Sequence, residues 1–309
     1  MAVSEDPWTT TAQDEARVLT GDHARLEHTH AVAGLFQSVQ KDKNRPQREV
    51  LLDIDRGGRA ETWRFVEPWA LDAADQTVLL AIVSMMAQRQ IDLSPEKATR
   101  SLALTGEAQQ AGSIYIETSV YEIVRKCGWA WSQRRKGLLL ASLDRLSHVT
   151  LDVIRDGTIV SGGTLLARVA TRDGGIAVTI SPWLASVLVD PNKGLWARID
   201  LGERRHLSSD KARLLHAWLC AWLRPGAADK VGVDRLIGKV WTDDDDGVPD
   251  GTLRRRRYDI RVALREIGNL PGWHVSTESA RGVVTIHRAQ DPHQRRARHR
   301  GIDVLSRTG

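Results

Sequence analysis

Two cysteines, Cys127 and Cys220, are too few for a disulfide framework, and neither lies in a CxxC pair or beside a His cluster with metal-ligand spacing. Both read as buried small hydrophobes, with no metal or cofactor site expected. No apolar run reaches the roughly 18 residues of a membrane span. The opening MAVSEDPWTTTAQDEARVL lacks the basic-then-apolar order of a secretory signal. These absences set the expectation of a cytoplasmic protein without a membrane partner. Nor is the composition that of a disordered chain: 41% of the residues are hydrophobic, 27% are charged, and mean hydropathy is −0.33. At 309 residues, two domains are expected, each able to bury its own core.

The charge is unevenly spread. The whole chain carries +5, but residues 251–309 hold 13 Arg and no Lys against 5 acids, a net of +8, leaving −3 for residues 1–250. A local positive field on a globular chain points to a polyanion, most often nucleic acid.

Residues 1–30, polar and aperiodic with His23, His28 and His30, read as a flexible N-terminal arm. A hairpin around Arg56-Gly57-Gly58 opens the first folded unit. Asp72 caps a helix with Val78, Leu79, Ile82, Val83 and Met86 at helical spacing. Residues 92–113 read as loop, and Thr118 caps a short helix stopped by Gly128. In the next helix Leu139, Leu143 and Leu146 fall within about 60° of one another. Gln133, Arg134, Gly137, Ala141 and Arg145 project from its other side. Three β-rich runs, broken at Asp156-Gly157 and Gly174-Gly175, then form a meander. Three helices followed by a β wing is the order of a winged helix.

The second half repeats that order. LWARIDLG reads as a strand, and Ser209 starts a helix with Leu214, Leu215, Trp218, Leu219 and Trp222 on one stripe, stopped by Pro225-Gly226. VGVDRLIGKVW is a short second helix. Asp250 or Thr252 caps a third helix, and a hairpin around Arg281-Gly282 follows. The short helices end alike, in KCGW and GKVW. The expected fold is α+β: two tandem winged-helix domains at 31–194 and 195–290, with a basic C-terminal tail at 291–309.

The run Arg254 to Arg257 carries the functional reading. With Leu253 at the origin, Ile260, Leu264 and Ile267 fall within about 40° of it, which defines the core face. Arg254, Arg255, Tyr258, Arg261 and Arg265 project outward. Arginines on the exposed first turns of a third helix suit a recognition helix entering the major groove, where the guanidinium fork pairs with guanine or phosphate. Arg134, Arg135 and Lys136 repeat the signal over one turn, with Gln133 and Arg145 beside them. Arg281 at the wing tip, and Arg295, Arg296, Arg298 and Arg300 in the tail, suit phosphate contacts.

Enzymatic readings fit less well. GVDRLIGKV has five residues between its glycines and Val240 where a P-loop needs Ser or Thr. His28-Thr29-His30 has a polar centre, and Tyr115, Tyr121 and Tyr258 lie in structural contexts, which argues against a nickase or primase. Asp243 to Asp246 departs from calcium-loop spacing. The eleven Trp read mainly as core. A non-enzymatic DNA binder is expected, with a winged-helix transcriptional repressor as the alternative that uses the same contacts.

AGLFQSV at 33–39, LSSDKARLLHAWLCAWLRPG at 207–226, RLIGKVW at 235–241 and TLRRRRYDIRVALREI at 252–267 resemble replication protein C of IncQ-type plasmids. The resemblance extends from Ala31 to Ala289. It implies an initiator that binds directly repeated origin sequences (iterons) in double-stranded DNA and opens the origin. The reading helix would be Arg254 to Arg261, and Gln133 to Arg145 a second reader. A plasmid helicase and primase are the implied partners, with a homodimer as a further possible assembly.

Overall fold

A computed structural model describes residues 23–27, 34–39, 45–55, 58–88, 102–171, 174–189, 196–241, 248–278 and 282–290. The strands are β1 (His23–Glu27), β2 (Arg48–Asp55), β3 (Ala60–Glu67), β4 (Thr105–Gly106), β5 (Ile114–Thr118), β6 (Thr150–Arg155), β7 (Thr158–Thr164), β8 (Leu166–Ala170), β9 (Ile176–Ile180), β10 (Trp196–Asp200), β11 (Ala228–Gly232), β12 (Trp273–Glu278) and β13 (Val283–Arg288). The helices are α1 (Ala73–Gln88), α2 (Val120–Lys126), α3 (Gln133–Ser147), α4 (Pro182–Val189), α5 (Leu201–His206), α6 (Asp210–Trp222), α7 (Val233–Ile237) and α8 (Asp250–Gly268). None of them is long and apolar enough to cross a membrane.

This is a mixed α/β architecture with a repeated unit. In the first half α1, β5, α2, α3 and the pair β8–β9 form a three-stranded sheet ordered β5-β9-β8. In the second, α6, β11, α7, α8 and β12–β13 form one ordered β11-β13-β12. Each order places the last strand centrally, antiparallel to both neighbours. The expected single meander is instead divided. β6 and β7 leave the repeat and join the β2–β3 hairpin and β4 in a five-stranded sheet ordered β2-β3-β6-β7-β4. Only β8 and β9 stay with the helices.

Most of the helix starts follow their capping chemistry. The Ala74 and Asp75 amides donate to Asp72 Oδ1 at 2.8 and 3.1 Å. The cap of α2 is Ser119 rather than Thr118, because Ser119 forms a capping box with Glu122 while Thr118 ends β5. Neither Asp250 nor Thr252 caps α8: the N-cap is Pro249, which has no side-chain acceptor, and Asp250 is the first helical residue.

Several segments differ from expectation. His23–Glu27, expected within a mobile arm, pairs antiparallel with β10 and buries Ala24 and Leu26. Its short apolar alternation gains a face only through elements distant in sequence, packing on α1 and pairing with β10. Residues 105–110, expected as loop, form β4 and a 3-10 turn, and Leu102, Leu104 and Ala108 make a small separate apolar cluster. LWARIDLG is part strand and part helix, because Asp200 caps α5 by accepting the Glu203 amide at 3.0 Å. α4 arises in a stretch with no assigned element. The tail 291–309, the rest of the arm and Arg281 lie outside the described residues.

Instead of two separate cores, one apolar cluster runs from Ala24 to Ile286 through both halves. The buried Arg204 of α5 fastens them, donating to Arg213 O at 2.5 Å, and to Ala73 O and Thr77 Oγ1 of α1 at 3.3 and 3.2 Å. Ser38 N donates to Val240 O at 2.7 Å.

Candidate nucleic-acid interface

α8 buries Ile260, Ala263, Leu264 and Ile267 against α6 and turns its opposite side to water. The four consecutive arginines divide by function. Arg256 is buried with its guanidinium 5.3 Å from the centre of the ring of Trp241, in the turn that follows α7. Arg257 is clasped by Asp234 of α7, with Nε to Oδ1 at 2.6 Å and Nη2 to Oδ2 at 3.1 Å. The hydrogen bond from Arg257 holds the Asp234 carboxyl below the usual carboxylate range. Arg254 and Arg255 remain exposed. Arg261, Arg265 and Tyr258, the last 61% exposed, share that open face. Among the described residues none of these four arginines has a carboxylate partner.

Three further contacts hold the helix at a fixed angle. Lys211 of α6 pairs with Asp259 at 2.6 Å. Glu266 accepts the Ser208 and Ser209 amides at 2.9 and 3.1 Å, at the cap of α6. Burial pushes the Glu266 carboxyl up, but the bonds from Ser209 and Ser208 outweigh it and hold it below its ordinary value. The result is a helix held at several points, whose exposed arginines form no ion pair among the described residues, Arg261 acting on Asp234 only through its field.

In the first half α3 has the same setting. Ser132 accepts the Arg135 amide at 3.2 Å as its cap, and Arg135 lies 5.3 Å from the Trp129 ring centre, as Arg256 does over Trp241. Gln133, Arg134 and Arg135 are exposed and Lys136 is half-buried. Arg145 does not belong to this surface. It turns inward and grips Asp75 of α1, with Nη2 to Oδ1 at 2.6 Å and Nε to Oδ2 at 3.1 Å. Asp75 is fully buried, which pushes its carboxyl up against the pull of Arg145. A buried carboxylate needs a cation, and Asp75 has two, Arg145 at 2.6 Å and Arg45 at 3.2 Å. The helical wheel places Arg145 outward because its partner lies 70 residues away in the chain.

Other candidates acquire structural roles. Trp218 is buried and stacks on Trp222 at 5.2 Å. Burial and the neighbouring Glu117 push the Tyr115 hydroxyl up to about 12, which leaves it a poor nucleophile at neutral pH. Among the described residues one cluster, Glu203, His216 and Cys220, brings potential metal-ligating atoms together. Sequence spacing shows only the His216–Cys220 pair, one turn apart on α6. The Glu203 oxygen accepts Trp273 Nε1–H at 3.0 Å and lies 2.8 Å from His216 Nε2, so the cluster joins α5, α6 and β12 by hydrogen bonds. Burial alone would lower the His216 pKa, but Cys220 and Glu203 raise it to about 9.

Two solved structures are similar to this chain. One is a crystal structure of SeMet derivatives of domain 2 and domain 3 of RctB, with a TM-score of 0.49 and 12% identity over 85% of this chain and 98% of that one. The other is of RctB domains 2-3, with a TM-score of 0.48 and 12% identity over 86% and 98%. No curated protein matches. The family model for replication protein C (RepC) matches residues 18–290, which takes in both copies of the repeated unit and the helix that carries the exposed arginines. This chain belongs to the replication protein C family.

Proposed function

We propose that the chain is a plasmid replication initiator that binds directly repeated origin sequences in double-stranded DNA, as IncQ-type RepC does. Each half acts as a winged helix. α8 enters the major groove by its N-terminal turns, where Arg254, Arg255, Tyr258 and Arg261 face base edges and phosphates and Arg265 follows the backbone. α3 is the second reader. Linking two modules makes the second contact intramolecular and raises affinity through effective concentration. The work is mechanical and uses no cofactor: neighbouring copies, as monomers or homodimers, strain the origin until it opens for the plasmid helicase and primase. It takes place in the cytoplasm, where plasmid DNA lies.

The observation that carries this reading is the division of labour on α8. Arg256 and Arg257 fix the helix to α7 while the exposed arginines keep no described carboxylate partner. Footprinting of the full chain on its plasmid tests it. Protection of an array of direct repeats supports an initiator, and protection of a palindrome supports a dimeric repressor. Relaxation of supercoiled origin DNA in the presence of magnesium would replace both with a nickase.

A further inference from the structure

The two reading corners differ in chemistry although their backbones correspond. In the second half the corner is an ion pair between Asp234, the second residue of α7, and Arg257. The second residue of α2 is Tyr121, which meets Trp131 edge-on at 5.4 Å. Both rings face water, at 52% and 45% exposure. Large aromatic surface is costly to leave in water unless something covers it. The neighbourhood is basic, with Arg125 and Arg134 exposed and Lys136 half-buried.

The Trp–Arg stacks give the helices a common register. Setting Arg135 level with Arg256 brings buried Leu139, Ser142, Leu143 and Leu146 level with Ile260, Ala263, Leu264 and Ile267. In that register Gln133 stands where α8 has Arg254. Gly137 stands for Tyr258, Leu140 for Arg261 and Asp144 for Arg265. Of the five outward positions of α8, only Arg255 keeps a cation in α3, at Arg134; the inward Arg256 and Arg257 correspond to Arg135 and Lys136. Nothing lies within 4 Å of a side chain added at Gly137, so no neighbour in the protein demands a glycine there, although one inside a helix costs about 1 kcal/mol.

From this we infer that the two halves read different base pairs, giving each repeat a polarity. α8 reads guanine through its arginines. The first half reads A·T pairs: the Gln133 amide bonds adenine N6 and N7, and the Tyr121–Trp131 surface packs on thymine methyl groups. This rests on the duplex-reading function proposed above. Gly137 leaves the helix face low enough for the groove floor to approach.

The test starts from duplexes selected out of a random-sequence library by the full chain. Binding is then measured with dT replaced by dU across the selected site, which removes only methyl groups. The wild type should lose roughly tenfold in affinity on the dU duplex. The Tyr121→Ala, Trp131→Ala double variant should bind dT and dU duplexes equally, with an unchanged melting temperature because both rings are exposed. Repeated selection with Gln133→Ala should relax an adenine position, and with Arg254→Ala a guanine position elsewhere. An unchanged dU affinity, a Gln133→Ala selection identical to wild type, or an aromatic pair that affects only single-stranded DNA would each overturn the assignment. If Arg254→Ala also left selection unchanged, the duplex-reading function itself would fail, a distinguishable result.

Discussion

Arg145, in the last turn of α3, and Arg255, in the first turns of α8, are the same residue type, and their surroundings give them opposite uses. Removing the Arg255 guanidinium deletes an outward contact: Arg255→Ala should cost roughly 1 to 3 kcal/mol of repeat-DNA affinity at unchanged stability, measured by fluorescence anisotropy beside thermal melting. Removing Arg145 leaves Asp75 buried, with Arg45 Nη1 at 3.2 Å as the remaining described cation and the Asp72 amide at 2.9 Å as a further donor. Arg145→Ala should therefore destabilise the fold by roughly 3 kcal/mol or more, and an unchanged melting temperature would refute that role. Glu67 gives a pH dependence. Its carboxyl is fully buried, and burial raises its pKa to about 7 against the opposing pull of Arg48. The folded state thus binds a proton more tightly than the unfolded chain, so this group favours folding at low pH and the benefit is lost as pH rises from about 4.5 to about 7. Glu67→Gln should raise the melting temperature at pH 8 and leave it nearly unchanged at pH 4.

At the scale of elements, α8 is held by a corner that the sequence did not reveal. The periodicity of Ile260, Leu264 and Ile267 gives its phase, and the buried set agrees. The pairing of Arg257 with Asp234 depends on how α7 folds back, and the four arginines look alike until it does. Asp234→Ala should free the corner and weaken DNA binding although it removes a negative charge. A simple electrostatic role predicts the opposite sign, and titration against a repeat duplex separates the two. Helices with long apolar spacing were legible, as were the caps Asp72 and Ser209 but not those of α2 and α8. The five-residue β1 and the division of the meander were not, because each depends on a strand distant in sequence. The repeated order of elements was visible in KCGW and GKVW. The matching Trp–Arg stacks behind it needed coordinates.

Across the whole molecule, two folded units were expected from length, and the apolar core instead passes through both. Composition does not register such continuity, since Arg204 and the β1–β10 pair join residues far apart in the chain. The chain should unfold in one calorimetric transition, and residues 31–194 and 195–290 made separately should show little cooperative melting. Two independent transitions would restore the separable picture.

The antiparallel ladder between the first and tenth strands also orders events at the ribosome. β1 also packs against α1, but its ladder partners Ala197 and Ile199 come far later in the chain, so the docking of this strand is completed only late in translation. A ribosome that stalls before that point releases a chain whose first described strand still lacks its ladder partner and whose arginine-bearing helix does not yet exist. On the proposed function, a chain that stops before α8 cannot engage an origin through its arginines.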